Sequence, residues 1–296
     1  MRFLRLVLIA ALAMGLLGSW AMCAAKDPDV AIFKGDDPTQ EGMSLGGWGS
    51  GGAVKTNERV LDGGWSIKMT TQSLYSGAKI EFTQPITLFA GGIKPDRYLQ
   101  FGFFFKETKD VNPAAGYEYA MTDAEPYKKP KAEKMRFVFV SDSGESVEAI
   151  EPTSALDPDD LWMRVVVPLN KFKVKEGLPE FRMKRLLVFT DIASTLYMGS
   201  LKLTTDDSPI KVDPLDPRTV AIMDPQFFSA SASGGVSSLA YAWDFDSSNG
   251  VQADSTEKVS KYTYSKGGEY TVSLTVSDAD GIKEPVTVST VIEVTD

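Results

Sequence analysis

The chain has 296 residues, room for two ordinary domains that each bury a core, and 43% of them are hydrophobic. Its formal charge is -9, with basic residues gathered only in small groups such as Lys128-Lys129-Pro130-Lys131, which argues against nucleic acid, whose phosphates require clustered cations. With no histidine and a single cysteine, Ser-His-Asp and Cys-His catalysis and His-based metal sites are excluded, and stability must come from core burial or bound ions.

Met1-Arg2-Phe3-Leu4-Arg5 is a short basic region, followed by an uncharged apolar run from Leu6 and the small residues Cys23-Ala24-Ala25. This is the three-part pattern of a secretory signal over residues 1–25. Left uncut, the run from Leu6 to Ala25 is long enough to span a bilayer. Acylation of Cys23 would tether the chain instead, although Trp20-Ala21-Met22 lacks the small residue a lipobox places before the cysteine. Each reading puts the body of the protein outside the cytoplasm, secreted or at the cell surface, and touching membrane only through this segment.

Strand signals then follow one another without a convincing helix. They are Val30 to Phe33, Trp65 to Thr70, Ala78 to Thr83, Tyr98 to Lys106, Met135 to Val140, Trp162 to Leu169, Arg185 to Thr190 and Leu196 to Thr204. Ile67, Met69, Ala78, Ile80 and Phe82 alternate with polar residues, the mark of one packed and one wet face. Phe101-Gly102-Phe103-Phe104-Phe105 is apolar on both faces and should be covered on both sides. Gly35 to Val54 reads as a Gly-rich polar stretch holding Trp48. About eight strands over roughly 175 residues, with irregular connections, make an all-β two-sheet jelly roll over residues 26–204.

Asp62-Gly63-Gly64-Trp65-Ser66-Ile67-Lys68, Tyr75-Ser76-Gly77-Ala78-Lys79-Ile80, Trp162 to Leu169 and Leu196 to Leu203 resemble segments of galactose-binding-like jelly rolls, the fold of many carbohydrate-binding modules. That resemblance implies a glycan-binding sandwich, and a structural calcium site of the kind such sandwiches carry would draw on Asp36, Asp37, Glu41 and Asp62. Ordinary solvated acids in turns are the alternative.

Residues 205–217, dense in Asp and Pro, read as a semi-rigid linker. Beyond it come strands at Thr219 to Met223, Phe227 to Ala232, Leu239 to Phe245, Lys261 to Tyr264, Glu269 to Ser277 and Pro285 to Val294. Tyr270, Val272, Leu274 and Val276 alternate strictly with Thr271, Ser273, Thr275 and Ser277, and Gly267-Gly268 supplies the turn before them. Trp243-Asp244-Phe245-Asp246, Tyr262-Thr263-Tyr264, the Tyr270 to Val276 strand and Asp278-Ala279-Asp280-Gly281 resemble, in order, the PKD family of immunoglobulin-like modules. The resemblance covers residues 218–296 and implies an extracellular spacer or adhesion unit, with Trp243 and Tyr264 in its core.

Asp244, Asp246, Asn249 and Asp254 bring four side-chain oxygens to one loop, the hard ligands that Ca²⁺ takes. Asp244 to Asn249 is one residue longer than a calcium loop of the Asp-x-Asp-x-Asn type, and the alternative is that the carboxylates bond turn amides. Tyr117, Tyr119 and Tyr127 lie in a long polar segment between two apolar strands, and with Trp48 they are the candidate sugar platforms. Their alternative is local packing, or for Trp48 a lid on the core. Glu145, Glu148 and Glu151 are the densest acids, but their spacing of three puts Glu148 opposite the other two on a strand, unlike a hydrolytic pair. These readings lead to an exported, non-catalytic binding protein with a polysaccharide or surface glycan as partner, or else an adhesive surface protein engaging extracellular proteins.

Overall fold

The computed structural model describes residues 26–106, 132–153, 162–174, 178–250 and 253–295. The first domain contains β1 (Val30–Phe33), β2 (Met43–Trp48), β3 (Gly52–Thr56), β4 (Ser66–Thr71), β5 (Gly77–Ala90), β6 (Arg97–Phe105), β7 (Lys134–Ser141), β8 (Ser146–Pro152), β9 (Met163–Pro168), β10 (Glu180–Thr190) and β11 (Ser194–Thr205). One sheet runs β3-β4-β11-β6-β9, with β1 also pairing β11, and the facing sheet runs β2-β5-β10-β7-β8. All of these ladders are antiparallel. This is a jelly-roll sandwich.

Its core forms because the inward residues of each strand are large and apolar. Phe101 and Phe103 of β6 meet Phe137 of β7 at centroid separations of 4.8 and 6.2 Å, and Phe137 continues to Phe139. Each of these rings is fully buried, a gain of about 2–3 kcal/mol apiece before entropy is charged. As the apolar run required, β6 is also covered on its outer side. Phe104 is 3% exposed beneath Trp162 and Tyr197, with the Arg59 guanidinium over its ring.

Three strands of this domain escaped the sequence reading. β2 and β3 fall in the Gly-rich stretch, where Gly46, Gly47 and Gly52 offer no side chains to alternate. β8, the edge strand of its sheet, gives no clear strand signal because its polarity is inverted at one end: Ile150 points outward, 49% exposed, while Glu151 is 6% exposed. Glu151 lies against Lys171 at 2.8 Å.

The second domain adds β12 (Lys211–Val212), β13 (Arg218–Ala221), β14 (Gln226–Ser229), β15 (Ala232–Ser233), β16 (Leu239–Asp244), β17 (Val259–Tyr262), β18 (Gly268–Asp278) and β19 (Val286–Thr295). A four-stranded sheet, β13-β19-β18-β16, packs with the pairs β14-β17 and β12-β15 around Trp243, Phe228, Phe245, Tyr264, Val272, Leu274 and Ile292. The strict alternation of β18 puts Val272, Leu274 and Val276 in this core.

The stretch read as a linker differs from a free connector. Ile210 is 5% exposed within the second core, and β12 pairs β15. The Asp206 amide donates to the Asp96 carbonyl of the first domain. Its carboxylate accepts from Lys283 Nζ at 2.6 Å and from the Val236 amide at 2.7 Å. Gly235 must be glycine here: its φ is +66° and a Cβ would sit 2.1 Å from the Asp206 carboxylate. Lys171, held by Glu151 of the first domain, also reaches Asp280 of the second at 2.7 Å. Tyr98 shares a 3.4 Å hydrogen bond with Ser237, and burial there pushes its hydroxyl pKa up to about 12.

Candidate ligand-binding face

The outer face of the five-stranded sheet follows from register. Trp48 pairs with Gly77, the next strand continues with Phe189, then Arg136 and Ile150, and all five point away from the core. Two residues along, the next outward row is Gly46, Lys79, Leu187, Val138 and Glu148, followed by Ser44, Glu81, Arg185, Val140 and Ser146. Five strands at about 4.8 Å make this platform about 19 Å wide.

Two aromatic rings stand at one end of it. Trp48 is 45% exposed and Tyr75, on the turn before β5, is 74% exposed. Trp48 is thus an exposed ring rather than a lid on the core. Its base is fixed by backbone packing that only glycine permits: a Cβ on Gly51 would sit 2.3 Å from Gly77, and a Cβ on Gly77 would sit 2.2 Å from the Val188 carbonyl. Ser76 ties the two turns together, its hydroxyl donating to the Trp48 carbonyl and accepting from the Ser50 amide. Arg136 lies under the Tyr75 ring and over Phe189, with its guanidinium held by Glu148 and the Leu74 carbonyl. A flat cation between two rings props the outer one upright.

The other three candidate tyrosines, Tyr117, Tyr119 and Tyr127, lie outside the described residues. Of the three glutamates, Glu148 is engaged by Arg136 on the outer face and Glu151 by Lys171 on the inner one, so the two share no cleft. Asp36, Asp37 and Glu41 line one open cleft of about 590 Å³ with Gln40, Gly64 and Trp65. Asp37 is committed within it: hydrogen bonds from Lys55 and Thr39 hold its pKa at about 2.

In the second domain, Asp244, Asp246 and Asp254 come to one loop, and each accepts from a backbone amide. Asp244 takes the Asp246 amide at 3.0 Å, Asp246 that of Ser248 at 3.0 Å, and Asp254 that of Phe245 at 2.7 Å. The Asn249 amide closes the turn on the Asp246 carbonyl. Among the described residues, no group of three or more His, Cys, Asp or Glu is arranged to hold a metal ion.

Residues 207–294 match the family model of the PKD domain. The C-terminal domain is a PKD domain. No curated protein matches the chain. Among solved structures, the chain is similar to a quinonprotein alcohol dehydrogenase-like protein from Bacteroides thetaiotaomicron, at 13% identity and a TM-score of 0.24 over 29% of this chain and 20% of that one. It is also similar to a carbohydrate-binding module of the β-sandwich superfamily, at 14% identity and a TM-score of 0.31, covering 54% of this chain and 56% of that one. A third likeness is to the CBM22-1-GH10 modules of an endo-1,4-β-D-xylanase from Clostridium thermocellum complexed with xylohexaose, at 11% identity and a TM-score of 0.35, covering 66% and 33%. The chain therefore spans between a fifth and a little over half of the length of these proteins.

Within the PKD domain, Trp243 and Tyr264 are core residues, 0% and 2% exposed, with the Trp243 indole donating to the Glu257 carbonyl. Its open surface is the β14-β17 ribbon, where Phe227 and Val259 are 64% and 57% exposed and Lys261 lies over the Phe227 ring. Sequence reasoning missed Tyr75, Lys79 and Arg185. Tyr75-Ser76-Gly77 carried a signal in its turn chemistry, but only the contact with Arg136, which stands in the row of Trp48, brings its ring to this face.

Proposed function

We propose that the protein is exported, that residues 1–25 are its signal, and that it binds glycan without catalysis through the outer face of the five-stranded sheet. The PKD domain acts as its spacer. The supporting observation is the pair of exposed rings, Trp48 and Tyr75, at one end of this face. An aromatic face beside hydrogen-bonding groups suits a sugar ring, and rings pinned by glycine packing and by Arg136 lose little freedom on binding.

Retention of the purified protein on a panel of soluble and insoluble polysaccharides tests this reading. Retention on one glycan class, weakened about tenfold by Trp48→Ala and by Tyr75→Ala, is expected. Absence of retention on every glycan would remove it. The exposed Phe227 and Val259 favour a second reading, an adhesive protein whose PKD ribbon meets a protein partner. In that case Phe227→Ala, and not Trp48→Ala, would abolish attachment to a surface.

A further inference from the structure

The same face carries two cations whose bonding capacity is unspent. Lys79 and Arg185 are about one-third exposed, and neither side chain makes a hydrogen bond among the described residues. They share one carboxylate at long range: Glu81 lies 3.8 Å from Lys79 Nζ and 3.7 Å from an Arg185 Nη. Arg185 Nε is buried with no acceptor, an uncommon state for a donor of that strength. Elsewhere on this face Arg136 is fully engaged by Glu148, so the imbalance of one positive charge belongs to Lys79 and Arg185.

The register aligns these groups with the exposed ring. Lys79 is on the strand next to Trp48 and two residues along, and Arg185 is one further strand and two further residues along. The three make a diagonal of about 17 Å between Cα positions, long enough for several sugar rings. The Lys79 stem crosses Gly46, its Cε 3.5 Å from where a Cβ would stand, so the glycine leaves room for the ammonium at the Trp48 edge.

We propose that the ligand of this face is a carboxylated glycan, with one ring on Trp48 and a carboxylate drawn to Lys79 and Arg185. This rests on the glycan reading above and adds the ligand's charge. A carboxylate oxygen would form the short charge-assisted bonds that Glu81 does not reach. On a chain of net charge -9, a neutral face would repel a polyanion. This one does not.

Affinity electrophoresis of the protein through polygalacturonate, through the same polymer with its carboxyls reduced to alcohols, and through dextran sulfate tests the proposal. Retardation by polygalacturonate, lost on the reduced polymer, weakened about tenfold by Lys79→Gln and strengthened by Glu81→Gln, is expected. The gain on Glu81→Gln is a change that a purely structural Lys79 would not produce. Equal retardation by polygalacturonate and by its carboxyl-reduced form, still abolished by Trp48→Ala, would overturn the carboxylate and leave glycan binding standing, as would retardation by dextran sulfate alone. No retardation by these polymers, together with no retention on any neutral glycan, would overturn both.

Discussion

Asp206 and Lys283 form an ion pair of 2.6 Å with each side chain only 7% exposed. A buried pair stands only when its remaining bonds are filled, and here they are. Lys283 also donates to the Gly234 carbonyl, and Asp206 accepts the amides of Val236 and Ser208. The Asp206 backbone, meanwhile, is bonded to Asp96 of the jelly roll. One residue thus fastens the start of the PKD domain from both sides.

Removing one partner leaves the other charge buried. Asp206→Ala should cost about 3–5 kcal/mol in urea unfolding of the PKD transition, and Lys283→Leu in the same background should recover part of that loss. A cost below about 1 kcal/mol would mean that water already reaches the pair.

The pair also sets an acid response. Burial alone would raise the Asp206 pKa, but Lys283 and the two amides outweigh it and bring it to about 2. The folded value lies below the unfolded one, so this stability is present above about pH 4 and is lost as pH falls toward 2. It amounts to about 2 kcal/mol. Asp37 titrates in the same window and Glu151, its pKa raised by burial, acts with the opposite sign. The difference between wild type and Asp206→Asn, followed from pH 5 to pH 2, isolates the effect, and the variant should lose less stability than wild type across that range.

Gly77 tests the foundation of the aromatic platform. A Cβ there would meet the Val188 carbonyl at 2.2 Å and the Phe189 ring at 2.9 Å. Gly77→Ala should lower the melting temperature by a margin equivalent to about 1–3 kcal/mol, through strain in the β5-β10 ladder. Val54→Ala, at an exposed outer position of β3, should change it by less than about 0.5 kcal/mol.

Tyr264 is buried among Tyr262 and Tyr270, and its hydroxyl reaches the Phe245 carbonyl at 3.3 Å. Tyr264→Phe should cost about 1 kcal/mol and Trp243→Ala about 3–5 kcal/mol, both read from unfolding followed by intrinsic fluorescence.

For the loop at Asp244 to Asp254, amide bonding and calcium predict different melts. With the three carboxylates occupied by turn amides, melting curves in millimolar calcium and in chelator should coincide. A rise with calcium of several degrees would assign these oxygens to a bound ion through mass action.

Both sandwiches were legible wherever inward apolar residues alternate with polar ones, as from Tyr270 to Ser277, because burial on one face imposes that period. Legibility failed where side chains are missing or inverted: at Gly46 and Gly47, which carry nothing to alternate, and at Ile150 and Glu151, whose polarity is reversed. The linker reading failed for another reason. Asp206 and Ile210 owe their places to Lys283 and to a core more than ten residues away, which composition cannot report. Of the candidate platforms, Trp48 could be named from its Gly-rich setting, whereas Lys79 and Arg185 join it only through strand register and Tyr75 only through its contact with Arg136.

The pairing of β13 with β19 is parallel, Arg218 to Ala221 against Ile292 to Thr295, within a domain whose other paired strands run antiparallel. These two strands lie near opposite ends of the PKD sequence. Tension applied between Arg218 and Thr295 therefore draws them past each other along their length, loading every bond of the ladder at once instead of peeling them apart singly. A domain strung between a held ligand and a surface would meet drag in its most resistant direction.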